Sequence, residues 1–475
     1  MSNRENVTEE KVMTKYDLKQ QKRKEAAAKK QKEKRIEKLV WAVVIVAILC
    51  FIASFPIRSY TAQNSAYLRV GGRDITKVEF DYNYNVVKNN FMNEYGSYLS
   101  FLGIDSTADL SKQMYAEDMS WQDYFEQQAV NGMVQGKALM TEAEAEGFTY
   151  DAEEDYKAYV EGIEAAAEAA GISAKDYVKQ AYGRYATLDR IEEYIRESLT
   201  VNAFYAQKSD ELLPSDDEVQ AYYEANKKDF ESVDYYLTTV NAEVSSEATE
   251  EEIAKAMEAA KGAAEIAEAN VTAEGALSEN VTYDTAVAAI RDWLFDDARK
   301  EGDTTIAEDS TGHRYYVVSF VKRYLNETPT VDARVIVTSQ DNGQAILDEW
   351  KSGEATAESF SELAAAYNDT TLAPATDGSY AAITESNIDA TVAEWLFDGS
   401  RAEGDTTALV GTDGYTYVVY YMGTNEPEWK IDASAELLSA NLDTYLQGIT
   451  ENVVVEDLKA DLKYLEVQAE AEAAN

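Results

Sequence analysis

A repeat constrains a fold more tightly than composition does, because each copy must solve the same packing problem with the same residues. Here WLFDDARKEGDTT at 293–305 returns as WLFDGSRAEGDTT at 395–407. Trp293, Leu294, Phe295, Asp296, Arg299, Glu301, Gly302, Asp303, Thr304 and Thr305 all recur 102 positions later. Each copy runs on into an apolar stretch, YYVVSFV at 315–321 and TYVVYYM at 416–422. Each is preceded by a related run, VDYYLTTV at 233–240 and VDARVIVTS at 331–339. Solenoid units recur every ~20–50 residues, so this longer period marks a duplicated domain. The unit reads as strand, helical stretch, short apolar helix, G-D-T turn and strand.

The local chemistry fits that order. Trp-Leu-Phe on a short amphipathic turn supplies apolar bulk for one face of a sheet. Gly302 and Gly404 suit the positive φ that ends a helix, and the β-branched and aromatic runs after them suit half-buried strands. Core packing accounts for the Trp and Phe, so the repeat establishes an α+β architecture before it says anything about chemistry.

Residues 1–38 carry 13 Lys/Arg against 7 Asp/Glu with no apolar periodicity, a solvated basic tail. Residues 39–57, LVWAVVIVAILCFIASFPI, hold no charge, and at ~1.5 Å rise per residue they nearly span a hydrocarbon core of about 30 Å. Basic residues precede the span, so the tail is expected in the cytoplasm and the rest outside, with the chain anchored by a single transmembrane helix. A cleaved signal peptide is the competing reading. The leader is too long, the apolar run too extended, and no A-x-A site follows. Cys50 invites a lipoprotein reading, but Leu49 before it is bulky and the apolar run continues past it.

The chain after residue 57 holds 30 basic and 81 acidic residues. A surface so acidic repels nucleic acid and anionic lipid, and high solvation is its ordinary meaning. It contains no cysteine, so disulfides are not used outside the cell, which suits a Gram-positive envelope. Its length demands two to four domains.

Residues 65–228 read as helical. After YLRV and a Gly-Gly turn, Thr76 is the expected N-cap with Glu79 three residues on. Phe80, Tyr84, Val87, Phe91, Tyr95, Tyr98 and Leu102 fall at helical spacing, which predicts one aromatic face over 77–102. A second helix is expected from Ser120 with Trp121, Tyr124, Phe125, Met133 and Met140, and others near 151–170, 173–181, 186–210 and 215–227. Pro214, Pro329 and Pro427 fall near module seams. At the C-terminal end, 431–475, ASAELLSANLDTYLQGITENVV predicts a helix and VEDLKADLKYLEV a second amphipathic stretch. This helix is expected to return and complete the helical domain.

V-G-G-x-x-I-T-x-x-E-F at 70–80 resembles the start of PrsA/SurA-like extracytoplasmic foldases, and Ile172-Ser173-Ala174-Lys175-Asp176-Tyr177 after Gly171 resembles a helix of the same domain. SDDEVQAYYEANKKDF at 215–230 resembles that family's junction between chaperone domain and parvulin-type peptidyl-prolyl isomerase domain. The repeats, 231–326 and 330–428, are similar to parvulin domains in order of elements, including Gly414 to Val419 as a G-Y-x-Ω-V-V strand. The resemblance implies a membrane-anchored chaperone whose partners are unfolded exported polypeptides, without cofactor, metal or nucleic acid. A homodimer is compatible with it.

Rotation about an X-Pro bond faces a barrier of about 18–20 kcal/mol, and a dry pocket that favours the twisted amide is enough to speed it. The family backs that pocket with two histidines. Their positions fall on Val335 and Thr416 in the second copy and on Leu237 and Tyr315 in the first. The one histidine of the chain, His313, matches neither and reads as a solvated turn residue. The fold is implied, and the isomerase activity is not secured. Tyr380, Ile388, Val392 and Phe397 are candidate lining residues in the second copy, whose alternative role is core. Phe80, Tyr84, Phe91 and Tyr95 are candidates for client contact in the helical domain. No Cys/His dyad, Ser-His-Asp set, zinc site or phosphate loop is spelled out. An active isomerase working through the second copy, and an envelope scaffold without clients, are the alternatives.

Overall fold

The computed structural model describes residues 45, 60, 61, 63–373 and 375–464. The basic tail and nearly all of the expected span at 39–57 lie outside them. Among the described residues no helix is long and apolar enough to cross a membrane. The chain packs as two units, one formed by the described residues up to Gln207 together with those from Leu446, the other by Lys208–Tyr445. Both mix helices with antiparallel sheet, an α+β class.

In the first unit, β1 (Ala66–Val70) and β2 (Arg73–Thr76) form a hairpin turned by Gly71 and Gly72 at φ 56° and 79°. Thr76 then caps α1 (Lys77–Tyr95) by accepting from the Glu79 N–H at 3.2 Å. The aromatic stripe expected over 77–102 is not one helix. Gly96 ends α1, its N–H returning to the Met92 carbonyl, and a single 3₁₀ turn follows. A small hairpin, β3 (Met114–Ala116) and β4 (Met119–Ser120), leads to α2 (Trp121–Glu146), started by a Ser120/Asp123 capping box. Three further helices follow, α3 (Glu153–Ala169), α4 (Ala174–Tyr182) and α5 (Leu188–Glu211).

The second unit contains α6 (Asp216–Ala225), capped reciprocally by Ser215 and Glu218, and the short α7 (Lys227–Phe230). The first repeat comprises β5 (Glu231–Asn241), α8 (Glu250–Glu268), α9 (Val271–Glu274), β6 (Ala276–Thr282), α10 (Ala288–Leu294), β7 (Thr304–Asp309) and β8 (Arg314–Leu325). The second comprises β9 (Pro329–Thr338), α11 (Gly343–Ser352), α12 (Ala357–Tyr367), β10 (Ser379–Ile383), α13 (Ala390–Leu396), β11 (Thr406–Val410) and β12 (Thr416–Pro427). Both make the same four-stranded sheet, in the orders β6-β5-β8-β7 and β10-β9-β12-β11.

The recurring motif holds the return of the chain onto each sheet. Gly302, at φ 84°, donates to the Phe320 carbonyl at 2.8 Å, and Phe320 donates back to Asp303 at 2.8 Å. Gly404, at φ 90°, and Asp405 make the same pair with Tyr421, both at 2.9 Å. Arg299 lies over the Trp293 ring and Arg401 over Trp395, with centroid distances of 4.9 and 4.5 Å.

After β12, α14 (Glu428–Thr450) leads to β13 (Val455–Asp457), which pairs antiparallel with β1. The segment expected as a second amphipathic stretch therefore begins as a strand. The Asp457 carboxylate accepts from the Ala460 N–H at 2.8 Å and the Leu462 N–H at 2.8 Å, which turns the backbone away from a helical path. Leu462 and Tyr464 then complete the core of Leu68, Val70, Ile75, Phe80, Val130 and Met133.

Candidate functional site

Two regions present unusual surface, one in each unit. In the first, the end of α1 and the loop after it carry exposed apolar side chains: Tyr95, Tyr98 at 67% exposure, Phe101 at 90%, and Leu102. Met114 and Tyr115 on β3 are exposed as well. They stand on an ordered base. Phe91 meets Phe125 edge-on at 5.3 Å and Trp121 at 5.5 Å, while Tyr115 stacks on Tyr124 at 4.4 Å. Beside this base an open groove of about 700 Å³ runs along α1 and α2, its walls including Val87, Phe91, Tyr124, Phe125 and Val134.

Of the four aromatic candidates on α1, the structure divides the set. Phe80 is buried in the sheet-helix core and is corrected from contact residue to core residue, because the start of α1 is covered by β1 and α2. Tyr84 is half-buried and stacks on Phe80 at 6.4 Å. Phe91 lines the groove and Tyr95 is exposed. Phe101, Met114 and Tyr115 escaped the periodicity, because they sit in a loop and a hairpin where no helical spacing applies.

Deeper in the same unit lies a second cavity, about 410 Å³, between α1, α2 and α5. Its lining holds three charges, Lys137 and Glu79 buried and Glu197 half-buried. Lys137 donates to Glu197 at 2.7 Å and meets Glu79 at 2.8 Å. Burial raises the Glu79 carboxyl, and the nearby Lys137 ammonium only partly offsets it. Burial alone would lower Lys137, and the two carboxylates outweigh that and raise it. The three groups tie three helices together.

In the second unit, the second repeat opens a cleft of about 500 Å³ beside β9, β10 and β12. Tyr380 and Ile388 line it, with Val335, Val337, Leu372, Tyr415 and Tyr417. Val392 is fully buried beneath it and Phe397 packs half-buried against the same core, so neither lines the cleft.

The positions matched to the family histidines do not converge. Side chains alternate along a strand. Val335 and Leu237 face the cores built on α13 and α10, whereas Thr416 and Tyr315 belong to the opposite faces, against α11 and α8. The residues that share a face with Val335 and Leu237 are Tyr417 and Tyr316. Val335 and Thr416 are buried, as is Tyr315, and Leu237 is half-buried. His313 sits in a left-handed turn at φ 49°, its carbonyl accepting from the Ala242 N–H at 2.8 Å and its Nδ1 buried without a partner, so it is less solvated than its turn position implies.

The polar edge of the cleft is built by one turn. Tyr417 donates its hydroxyl to Asp413 at 2.7 Å, and the Tyr415 N–H donates to the same carboxylate at 2.9 Å. Asp389 caps α13 through the Thr391 N–H at 2.8 Å and accepts from the Thr412 N–H at 2.8 Å. The Thr412 bonds hold the Asp389 carboxyl below the usual carboxylate range, while burial and Asp413 push the Tyr417 phenol well up. A Cβ placed on Gly411 would come within 2.7 Å of Asp413 Oδ1, 3.0 Å of Asp389 Cγ and 2.6 Å of the Tyr417 ring. Glycine at that position lets both carboxylates and the ring close on one turn. Among the described residues, no group of three or more His, Cys, Asp or Glu is placed to hold a metal ion.

Residues 27–204 match a family model described as a SurA-like N-terminal domain. No curated protein sequence matches the chain. Similar solved structures include PrsA from Bacillus subtilis, at 10% identity over 82% of this chain and 93% of that one, with a TM-score of 0.27. The foldase PrsA from Streptococcus pneumoniae is 13% identical over 72% and 91%, with a TM-score of 0.19. A SurA-like chaperone from Campylobacter jejuni is 11% identical over 82% and 96%, with a TM-score of 0.18.

Proposed function

We propose, from the match of residues 27–204 to a SurA-like N-terminal domain, that the chain is an extracytoplasmic chaperone that binds unfolded exported polypeptides. Residues 39–57 anchor it in the membrane with the basic tail inside. The carrying observation is the exposed apolar surface of Tyr95, Tyr98, Phe101, Leu102, Met114 and Tyr115 beside an aromatic groove. Large exposed apolar patches mark binding surfaces. Tyrosine offers contact area at low entropic cost, and methionine adapts to varied partners. Such exposure weighs against a purely structural role in the envelope, which would bury these faces.

The two repeats act as degenerate parvulin-like modules. The shared strand order supports the likeness, and the missing histidines at Leu237, Tyr315, Val335 and Thr416 argue against isomerase chemistry of the family kind. One observation favours the second reading, an active isomerase: the cleft of the second repeat keeps an apolar wall of Val335, Val337, Leu372 and Ile388.

Aggregation of a denatured exported protein, followed by light scattering with the chain present at equimolar ratio, tests the chaperone reading. Suppression that weakens in a Tyr98→Ser/Phe101→Ser/Met114→Ser variant is the expected result. No suppression by the unaltered chain would reject it. Proline-limited refolding of a client separates the isomerase reading, since a pure chaperone leaves the slow phase unchanged.

A further inference from the structure

We propose that the cleft of the second repeat takes the cationic side chain of a lysine or arginine from an extended polypeptide. This goes beyond the chaperone reading, which rests on the first unit, and the two fail separately.

The cleft is built for a cation on three counts. Asp389 and Asp413 are satisfied by neutral donors only, from Thr391, Thr412, Tyr415 and Tyr417. Hydrogen bonds of this kind hold a carboxylate in place without cancelling its charge. The lining contains no Lys, Arg or His, so the two carboxylates at the edge of the cleft have no basic counterpart there. The walls also carry three tyrosines, Tyr380, Tyr415 and Tyr417, beside Leu372 and Ile388. Aromatic faces attract an ammonium or guanidinium, and aliphatic walls suit the methylene stem that carries it.

A prolyl ring fits this chemistry poorly. It is neutral, so seating it beside the two carboxylates at the edge leaves their charge unanswered. A basic side chain supplies the missing charge while its stem covers the apolar wall. The excess of acidic residues over the chain as a whole steers basic segments toward such a site.

The test is competition for the full-length chain, read by fluorescence anisotropy of a coumarin-labelled Ac-Ala-Ala-Lys-Ala-Ala-NH2. Unlabelled peptides with Lys, Arg, ε-acetyl-lysine, Glu or Pro at the centre serve as competitors. Lys and Arg peptides are expected to compete, the neutral and acidic ones about tenfold or more weakly, and added salt to loosen binding. Asp413→Asn keeps an acceptor for Tyr417 and removes the charge, so it should weaken the Lys peptide by about tenfold. Ile388→Lys supplies an ammonium from the wall itself and should abolish binding with both carboxylates intact. Near-UV circular dichroism checks that each variant is folded. Equal competition by the Pro or acetyl-lysine peptide would overturn the proposal. So would Lys-peptide binding untouched in folded Ile388→Lys, or stoichiometric calcium binding by a cleft that takes no Lys peptide.

Discussion

Lys137 is the residue on which the first unit most depends electrostatically. Its ammonium is shared by Glu79 and Glu197, and its side chain is only 11% exposed. Breaking a buried ion pair from one side leaves an uncompensated charge, which costs about 3–5 kcal/mol. Lys137→Met strands two carboxylates facing each other, so a loss of about 3 kcal/mol is expected in urea unfolding. Glu79→Gln is the informative contrast. Burial raises the Glu79 pKa above its unfolded value, so the folded chain binds that proton more tightly. The stability contributed by this residue therefore grows as pH falls through the raised pKa and is fully present below the unfolded value. In Glu79→Gln that gain disappears, and a plot of stability difference against pH should show it; a difference flat across the acid range would refute the assignment. The triad was not legible in the sequence, which offers Glu79 only as the residue three after the Thr76 cap. The three residues stand on separate helices, and a lone Lys or Glu in a helical stretch reads as a solvated face.

At the scale of elements, the repeated motif was legible and its reason was not. Periodicity exposed Trp293 and Trp395, and the structure adds why the glycine and aspartate recur with them. Gly302 and Gly404 take positive φ while bonding back to the last strand, and nothing crowds a Cβ at Gly302. The left-handed conformation costs an L-residue roughly 1–2 kcal/mol. Gly302→Ala and Gly404→Ala should each lower stability by about that amount, to a similar degree in the two repeats, as measured by thermal unfolding. A second recurring device went unread. Asp234 and Asp332 each reach across to an edge strand and accept from the backbone N–H of Asn280 and Ala382, at 2.9 and 2.8 Å. Both of those residues sit at positive φ, 55° and 53°. The V-D pair therefore pins a bulge in each copy. Strand parity misled the histidine comparison in the same way, since a slip of one residue moves a side chain to the other face. Tyr417 then occupies the cleft in place of Thr416. The helical stripe failed differently. The spacing correctly identified one apolar face on α1, but spacing carries no record of which turns a neighbour covers, so Phe80 is core and Tyr95 is surface.

For the molecule as a whole, the consequential feature is that the first unit is closed by residues far along the chain. The return of the C-terminal segment was expected as a helix, and the contacts that seal the core are instead made by β13 and the turn after it. Val455 pairs with Val70, and Leu462 fills the core beside Leu68 and Ile75. The second unit is contiguous over Lys208–Tyr445, so it can fold before this closure, whereas β1 keeps an unpaired edge until residue 457 exists. An open strand edge is an invitation to other strands, which makes residues 455–464 a determinant of solubility as well as stability. Leu462 and Leu458 separate packing from mere presence, being 1% and 41% exposed. Leu462→Ala should cost about 2–4 kcal/mol, and Leu458→Ala should stay within about 0.5 kcal/mol. Amide exchange read at β1 and at β9 then locates the loss. Faster exchange confined to β1 in Leu462→Ala is the expected pattern, because the damaged core belongs to the first unit alone. Equal, small effects of the two substitutions would mean that the segment lies on the domain without holding it.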